Sequence, residues 1–208
     1  MRDVDLTPAA GTGERERLEA VLQAAMRQGR ADNSIFGLRL QRQSCALLFE
    51  KLAFLYPEAP TEAARIERAF GSTLFIHLTR ADKLAQAVSY LKADQSGLWH
   101  VAPDGSELER LAPHREPVYD RMAIRACVDM MEEHDRRWLA WFEEQDVSPL
   151  RIGYDALSAD PVGTLRRVLL GLGLDGSAAD AVKPGVRKLA DAVNRDWIER
   201  YRAETFPP

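Results

Sequence analysis

The sequence lacks several features that would place it at once in a functional class. None of its apolar runs approaches the length of a membrane span, and its first residues contain no signal-peptide apolar region. The two cysteines, Cys45 and Cys127, lie far apart and form no CxxC pattern. We therefore expect two buried free thiols and a cytoplasmic protein without a membrane partner.

The motifs of several catalytic classes are also missing. The sequence contains no GxxxxGK[ST] phosphate loop, no GxSxG nucleophile elbow and no cysteine–histidine nucleophile pattern. Its four histidines and two cysteines show no zinc-ligand spacing, so we expect no metal. The formal net charge of −4 argues against a general nucleic-acid binder, which needs a basic surface, but it leaves room for a local basic pocket.

The composition is that of an ordinary globular protein, and the length suits one domain. The 208 residues are 46% hydrophobic and 29% charged. Residues 1–13 carry Pro8, Gly11 and Gly13, and we interpret them as a flexible lead-in to a single domain over 14–208. No buried strand precedes Gly11-Thr12-Gly13, so we do not interpret that cluster as a phosphate loop.

Hydrophobic periodicity predicts alternating strands and helices. Helices are predicted over residues 14–28, 44–55, 61–70, 118–145, 160–172 and 186–203, with another directly after the central strand. Strands are predicted at 35–40, 74–78 and 150–154. The alternation indicates an α/β layered fold with a mostly parallel sheet. Three strands are few for a chain of this length, which suggests that one strand is absent.

The stretch Leu74–Tyr90 (LFIHLTRADKLAQAVSY) is the strongest candidate site. A short strand passes into a helix through Thr79-Arg80, and amides at a helix start can hold an anion. Arg80 and Ser89 could form a phosphate clamp, but spacing alone favours the alternative of a solvent-facing arginine and a packed serine. A straight helix from Arg80 would separate their Cα atoms by roughly 13 Å along its axis, so residues 80–82 must delay the helix. Thr79 and Asp82 also resemble a capping box.

A second basic stretch lies near the C-terminus, in PGVRKLADAVNRDW (184–197). Pro184-Gly185 predicts a loop, and Arg187-Lys188 are predicted to open the last helix. Two cations at a helix start oppose the helix dipole unless an anion joins them, which favours a binding role. The alternative is a solvated basic face.

Residues 94–117 are rich in glycine, proline and polar residues, a pattern typical of a functional or mobile loop. Asp104-Gly105 could close a small hairpin within it. Trp99 could stack on a sugar or base, and His100 could transfer a proton, although a lone loop histidine is often exposed and idle.

The other three histidines are weaker candidates. His77 lies within the central strand and is predicted to be buried and hydrogen-bonded, whereas His114 is predicted to be exposed. The apolar stripe of the long helix is interrupted at His134-Asp135, where polar residues take a core-facing position. His134 could therefore lie beneath the site.

The chain resembles the trehalose 2-sulfotransferase family at FGLRL, at RAFGSTLFIHLTRADKLAQAVSYLKADQSGLWH and at PVYD. The resemblance continues through WLAWFEEQ, LRIGYDALSADPVGTLRRVLLGLGL and RKLADAVNRDW, from about residue 14 to the end. It implies a three-layer P-loop-like sulfotransferase fold with a mostly parallel sheet. It also implies transfer of a sulfuryl group from 3′-phosphoadenosine 5′-phosphosulfate (PAPS) to a carbohydrate hydroxyl.

Site residues carry over only where this sequence matches the family's motifs. Arg80 and Ser89 match the residues that hold the 3′-phosphate of the cofactor in sulfotransferases. Arg187 and Lys188 resemble the C-terminal cofactor segment, and Trp99-His100 lie where the family has residues on the substrate side. Family members are often dimers, so a homodimer is expected here.

The resemblance is incomplete at the start. Family members begin with a strand and a loop that cradles the 5′-phosphosulfate, and their glutamate base lies in the same region; nothing in residues 1–30 matches either. We therefore nominate no catalytic residue and expect the sheet to lack its first strand. Two hypotheses follow: a PAPS-dependent sulfotransferase, or a non-catalytic or truncated relative that keeps the 3′-phosphate half-site and acts as a binding or interaction protein.

Overall fold

The computed structural model describes residues 13–30, 35–187 and 189–205, and they divide into two compact units. The first unit contains the described residues up to Phe75 together with Arg137–Ser148. The second contains Ile76–Arg136 together with the described residues from Pro149 onward. The lead-in predicted for residues 1–13 lies outside the described residues except for Gly13, and the single domain over 14–208 stays a prediction.

The first unit is helical. It contains α1 (Glu14–Arg30), α2 (Cys45–Leu55), α3 (Glu62–Phe70) and the C-terminal part of α5 (Arg121–Glu144). Trp141 lies at its centre, stacked on Phe49 with 5.7 Å between ring centroids. The indole Nε1 donates to Glu62 Oε2 at 2.5 Å, so the buried ring keeps its polar atom bonded. Thr61 caps α3 as the sequence predicts, accepting from Ala64 N at 3.1 Å.

The strand predicted at residues 35–40 is wrong. The described residues of this segment are irregular, and both Ile35 (38% exposed) and Leu38 (49% exposed) lie in contact with solvent. Instead of joining a strand ladder, Phe36 stacks on Phe70 of α3 with 5.3 Å between ring centroids. Gly37 and Arg39 interrupt the apolar run, which explains why aromatic packing rather than strand pairing holds this segment.

The second unit contains the small parallel sheet that positions the candidate site. Strand β1 (Ile76–Thr79) pairs with β4 (Leu150–Gly153), with Ile76 opposite Leu150 and Thr79 opposite Gly153. Because the strands are parallel, Arg80 and Tyr154 follow them at the same end. The mixed α/β class is confirmed. The strand predicted at 74–78 is found at Ile76–Thr79, and the strand predicted at 150–154 ends at Gly153, because Tyr154 begins a helix. The three-layer P-loop-like architecture stays a prediction.

An antiparallel hairpin occupies the segment that the sequence predicts to be mainly a loop. Its strands are β2 (Leu98–Val101) and β3 (Glu107–Arg110). The predicted turn at Asp104-Gly105 is confirmed, because Gly105 has φ 93° and donates its N–H to Ala102 O at 3.0 Å. Trp99 and His100 therefore lie in a strand, which corrects their predicted loop placement.

The remaining elements of the second unit are helical. They are α4 (Lys83–Ser96), α6 (Tyr154–Ala159), α7 (Pro161–Gly171), a 3-10 helix (Gly176–Ala181), α8 (Ala192–Thr205) and the N-terminal part of α5. Asp160 caps α7, accepting from Gly163 N at 2.7 Å, as predicted. The core of this unit joins α4, α5 and α8 through Val88, Leu91, Ile124, Trp197 and Tyr201.

The last helix begins later than the sequence predicts. The predicted span of 186–203 is wrong at its start, because α8 begins at Ala192. Asp191 and Asn194 cap it reciprocally: Asp191 N donates to Asn194 Oδ1 at 3.2 Å and Asn194 N to Asp191 Oδ1 at 3.3 Å. Arg187 lies before the cap in an extended segment, and Lys188 lies outside the described residues.

Every helix in the described ranges falls short of the apolar length that a bilayer crossing requires.

Candidate functional site

The turn after β1 has the shape that the phosphate-clamp hypothesis requires. Residues 80–82 are not helical, and α4 begins at Lys83. Ser89 lies about 9 Å along the helix axis from Lys83, the first helical residue. Asp82 caps the helix by accepting from Ala85 N at 2.8 Å. The predicted Thr79–Asp82 capping box is wrong, because the Thr79 hydroxyl donates to Asp135 Oδ2 at 3.1 Å instead.

Within the part of the chain that the structure describes, Arg80 is oriented by an aromatic ring rather than by hydrogen bonds from its side chain. Its guanidinium carbon lies 4.5 Å from the centroid of the Tyr154 ring. This stacking leaves the edges of the planar guanidinium available for a bidentate partner. Within the described residues, Arg80 Nε is buried without a hydrogen-bond partner. A buried donor without a partner is costly, so an anion bound here would restore a bond that the protein itself does not make.

A carboxylate from α5 supports the same turn. Asp135 pairs with Lys83 Nζ, and Lys83 Nζ donates to the carbonyl oxygen of Arg80 at 2.6 Å. The Lys83 side chain is only 14% exposed. Since Lys83 is the first residue of α4, its charge opposes the helix dipole, and the Asp135 carboxylate offsets that opposition.

Beneath the turn, His77 is buried on β1, as predicted. Burial lowers the pKa of His77 below its ordinary value, and Arg151 and Lys83 lower it further, although Asp135 acts in the opposite direction. The imidazole is therefore neutral at neutral pH. His114 is exposed, as predicted, and its Nε2 lies 3.1 Å from Glu116 Oε1.

Ser89 lies within α4 and is half-buried. Among the described residues no hydrogen bond joins it to Arg80. Its neighbour Tyr90 packs edge-on against Trp99 of β2, with 5.5 Å between ring centroids. The structure therefore brings the helix that carries Ser89 against the hairpin that carries the predicted substrate-side residues.

His100 is partnered on the hairpin itself. Its Nδ1 lies 2.5 Å from Glu109 Oε2 on β3. The carboxylate fixes the orientation of the imidazole ring, which the sequence reasoning did not anticipate for a lone loop histidine.

Arg187 is held through its backbone. Its N–H donates to Val101 O at 3.1 Å, forming an isolated antiparallel bridge beside β2. The exposed guanidinium lies over the hairpin turn, so that a Cβ added to Gly105 would stand 3.0 Å from Arg187 Nη2. An open depression of about 470 Å³ is lined here by Leu98, Val101, Gly105, Glu107, Arg187, Leu189, Ala190 and Asp191. The prediction that Arg187 opens the last helix is wrong, because this bridge holds it in extended backbone.

A polar cluster joins α4 to the start of α8. Lys92, one turn after Ser89, donates to Asp191 Oδ2 at 2.5 Å and to Asn194 Oδ1 at 3.0 Å. Burial raises the pKa of Asp191, but the hydrogen bonds from Lys92 and Asn194 outweigh it and hold that pKa below its ordinary value. The segment containing Arg187 is thereby anchored to the helix containing Ser89.

Three supporting residues escaped the sequence reasoning: Tyr154, Asp135 and Lys92. Tyr154 and Lys92 left no signal, because partners from distant parts of the chain define their roles. Asp135 did leave a signal, since the apolar stripe of the long helix is interrupted at His134-Asp135. The sequence pattern points to His134 as the residue beneath the site, yet its neighbour Asp135 contacts the turn.

The fold and this site define a mixed α/β protein with a basic turn at the carboxyl end of a parallel sheet, a usual position for a phosphate-bearing ligand. The Stf0 sulphotransferase family model matches residues 1–204, and the chain belongs to that family. A trehalose 2-sulfotransferase of Mycobacterium tuberculosis (strain ATCC 35801 / TMC 107 / Erdman) is 31% identical over 181 residues, covering 85% of this chain and 64% of that protein.

A second relative, the trehalose 2-sulfotransferase of Mycolicibacterium smegmatis (strain ATCC 700084 / mc(2)155), is 30% identical over 178 residues, with the same coverages of 85% and 64%. The chain thus spans just under two thirds of the length of these curated relatives. The resemblance noted in the sequence is confirmed at the level of the family.

Proposed function

We propose that this chain acts in PAPS-dependent sulfation of a carbohydrate hydroxyl, and that Arg80 and Ser89 hold the 3′-phosphate of the nucleotide. The observation that carries the proposal is the state of Arg80, whose guanidinium is stacked on Tyr154 while its buried Nε lacks a hydrogen-bond partner within the described residues. Guanidinium donors match the geometry and charge of a phosphate dianion. The names of the two relatives support a sugar acceptor, with trehalose as the first candidate.

In this proposal the residues of the turn bind and orient the nucleotide. PAPS supplies the activated sulfuryl group when it is bound. Arg80 donates to the 3′-phosphate. Because the Tyr154 ring already holds the guanidinium in one orientation, little side-chain entropy is lost on binding. The Ser89 hydroxyl adds a neutral donor from α4, and Asp82 keeps the helix start capped.

The hairpin and the C-terminal segment supply the second part of the proposed site. Arg187, with Lys188 beside it in the sequence, is proposed to contact the nucleotide from the segment that bridges to Val101. Trp99 and His100 are proposed to face the sugar, where Trp99 stacks against an apolar sugar face and His100 acts with Glu109 as a hydrogen-bonding pair. We assign no catalytic base. The two free thiols support the predicted cytoplasmic location, and the homodimer stays a prediction.

Calorimetry with 3′,5′-ADP, the desulfated product of PAPS, tests the binding step. We expect the unmodified chain to bind it and Arg80→Ala to abolish measurable binding. A matched control is Arg68→Ala, which removes an exposed arginine from the last turn of α3 and should leave the affinity unchanged. Absence of binding to the unmodified chain would contradict the Arg80–Ser89 assignment.

Transfer of labelled sulfate from PAPS to trehalose tests the chemical step separately. Labelled sugar that appears with the unmodified chain and disappears with Arg80→Ala supports the sulfotransferase proposal. Normal 3′,5′-ADP binding without any labelled sugar, across a panel of sugars, would instead support the hypothesis of a binding protein that keeps the half-site.

A further inference from the structure

The carboxylate of Asp135 holds the backbone on both sides of Arg80. On the strand side, Asp135 Oδ2 accepts from the Thr79 hydroxyl at 3.1 Å. On the helix side it pairs with Lys83 Nζ, which in turn donates to the Arg80 carbonyl oxygen at 2.6 Å. One side chain from α5 therefore fixes the last residue of β1 and, through Lys83, the peptide that follows Arg80.

These contacts coincide with the place where the Arg80 side chain is oriented. Thr79 lies opposite Gly153 in the final register pair of the β1–β4 sheet, and Tyr154 is the next residue. Anchoring Thr79 therefore anchors the end of β1 beside the ring on which the Arg80 guanidinium stacks. The stacking geometry depends on this backbone position, because a small rotation at residue 80 moves the guanidinium off the ring.

The charges of the pair are poorly solvated, which makes each partner depend on the other. The side chains of Lys83 and Asp135 are 14% and 31% exposed. Lys83 also begins α4, where a cation is disfavoured by the helix dipole. Without the carboxylate, Lys83 would turn toward solvent and release the Arg80 carbonyl oxygen.

We propose that Asp135 is a positioning residue for the anion-binding turn, acting on the bound nucleotide only through Thr79, Lys83 and Arg80. This inference rests on the proposed function. It predicts that removing the Asp135 charge lowers the nucleotide affinity, whereas simple electrostatics predicts that the affinity rises. A carboxylate near a phosphate repels it, so removing a mere background charge should tighten binding. Removing a positioning residue should weaken binding despite the loss of repulsion.

The decisive variant is Asp135→Asn, which keeps the shape of the side chain and removes its charge. We expect its affinity for 3′,5′-ADP to fall about tenfold, the equivalent of one charge-assisted hydrogen bond lost from the turn. Lys83→Met should cause a similar loss. The double variant should lose no more than either single one, because both act through the same contact.

A matched control lies on the same helix. Asp129→Asn removes an exposed carboxylate that pairs with Arg125 and should leave the affinity unchanged. Unchanged or tighter binding by Asp135→Asn, with an unfolding temperature close to that of the unmodified chain, overturns the inference while the proposed function stands.

Hydrogen exchange in the nucleotide-free protein tests the structural role of Asp135 separately from the proposed nucleotide binding. Asp135→Asn should speed exchange of the Ala85 and Gln86 amides, which bond to the Asp82 side chain and carbonyl at the start of α4. If the unmodified chain does not bind 3′,5′-ADP but this exchange accelerates, the proposed function fails and the structural role of Asp135 stands. Unchanged exchange overturns the role of Asp135 even if the nucleotide binds.

Discussion

Two arginines with the same predicted role are held in opposite ways. The Arg80 side chain is half-buried and stacked on Tyr154, and a carboxylate fixes its backbone through Lys83. The Arg187 backbone is fixed by its bridge to Val101, while its side chain is exposed above the hairpin turn. A side chain that is already ordered loses little entropy on binding, whereas an exposed one must be ordered by the ligand. We therefore expect Arg80 to provide most of the affinity and Arg187 to provide a small, adaptable part.

The largest effect should come from comparing the two arginines directly. Arg80→Ala should weaken 3′,5′-ADP binding beyond the range of the assay, by about a hundredfold or more, since charge-assisted bonds made in a partly buried site are lost. Arg187→Ala should weaken it only about threefold, as expected for an exposed charge. Calorimetry under identical salt conditions compares the affinities of the two variants. Equal losses of affinity would show that the two arginines contribute alike.

The second effect concerns the ring beneath Arg80. Tyr154→Leu should weaken nucleotide binding about fivefold, because the cation–π contact that orients the guanidinium is lost. Tyr154→Phe keeps an aromatic face and is the control. If the phenylalanine variant loses as much affinity as the leucine variant, the hydroxyl rather than the ring is responsible.

The third effect is on stability and its dependence on pH. Lys92→Met should lower the free energy of unfolding by about 1 kcal/mol at neutral pH, with at most a twofold change in nucleotide affinity. The folded-state pKa of Asp191 lies below the ordinary value of 3.8. The stabilisation from the Lys92–Asp191 ion pair is therefore complete at pH values above the ordinary pKa, and it is lost as the pH falls through the folded-state pKa.

Urea unfolding at several pH values measures this third effect. The difference between Lys92→Met and the unmodified chain should be constant near neutrality and should shrink below about pH 4. A difference that persists unchanged at acid pH would show that packing of the lysine stem, rather than its ion pair with Asp191, provides the stability.

The last prediction concerns the hairpin turn, where only a small effect on binding is expected. Gly105→Ala should destabilise the protein by about 1 kcal/mol because of the positive φ, and the added methyl group should displace the Arg187 side chain. The 3′,5′-ADP affinity should change by less than about threefold, in line with the small share assigned to an exposed charge. A larger loss of affinity would raise Arg187 to the importance of Arg80.

Local signals in the sequence predicted much of the fold, and contacts between distant residues account for the rest. The caps at Thr61 and Asp160 and the turn at Asp104-Gly105 follow from the chemistry of a few adjacent residues, and all were predicted correctly. The start of α8 was missed for two reasons. A bridge to Val101, far away in the sequence, holds Arg187 extended, and local preference cannot report such a contact. The Asp191–Asn194 cap that begins α8 is a local signal that the prediction did not use.

In the candidate site, too, some features follow from the local sequence and others depend on contacts between distant residues. The strand and the turn around Arg80 could be predicted from the residue pattern, and the delayed start of α4 is the condition that the clamp hypothesis requires. The ring of Tyr154 could not, because the pairing of β1 with β4 brings it to Arg80. Asp135 lies between these cases: the interruption of the apolar stripe marked its position, while its partners become known only from the fold.

The balance of charge around the turn affects how quickly a ligand arrives. The turn and its support carry three cations and two carboxylates: Arg80, Lys83, Arg151, Asp82 and Asp135. Seen from beyond a Debye length this group carries a single positive charge, and the whole chain carries a formal charge of −4. Under the proposed function, a nucleotide should therefore be attracted little from a distance and be recognised mainly on contact. Its association rate should change little with ionic strength, and selectivity for the 3′-phosphate should reside in the dissociation rate.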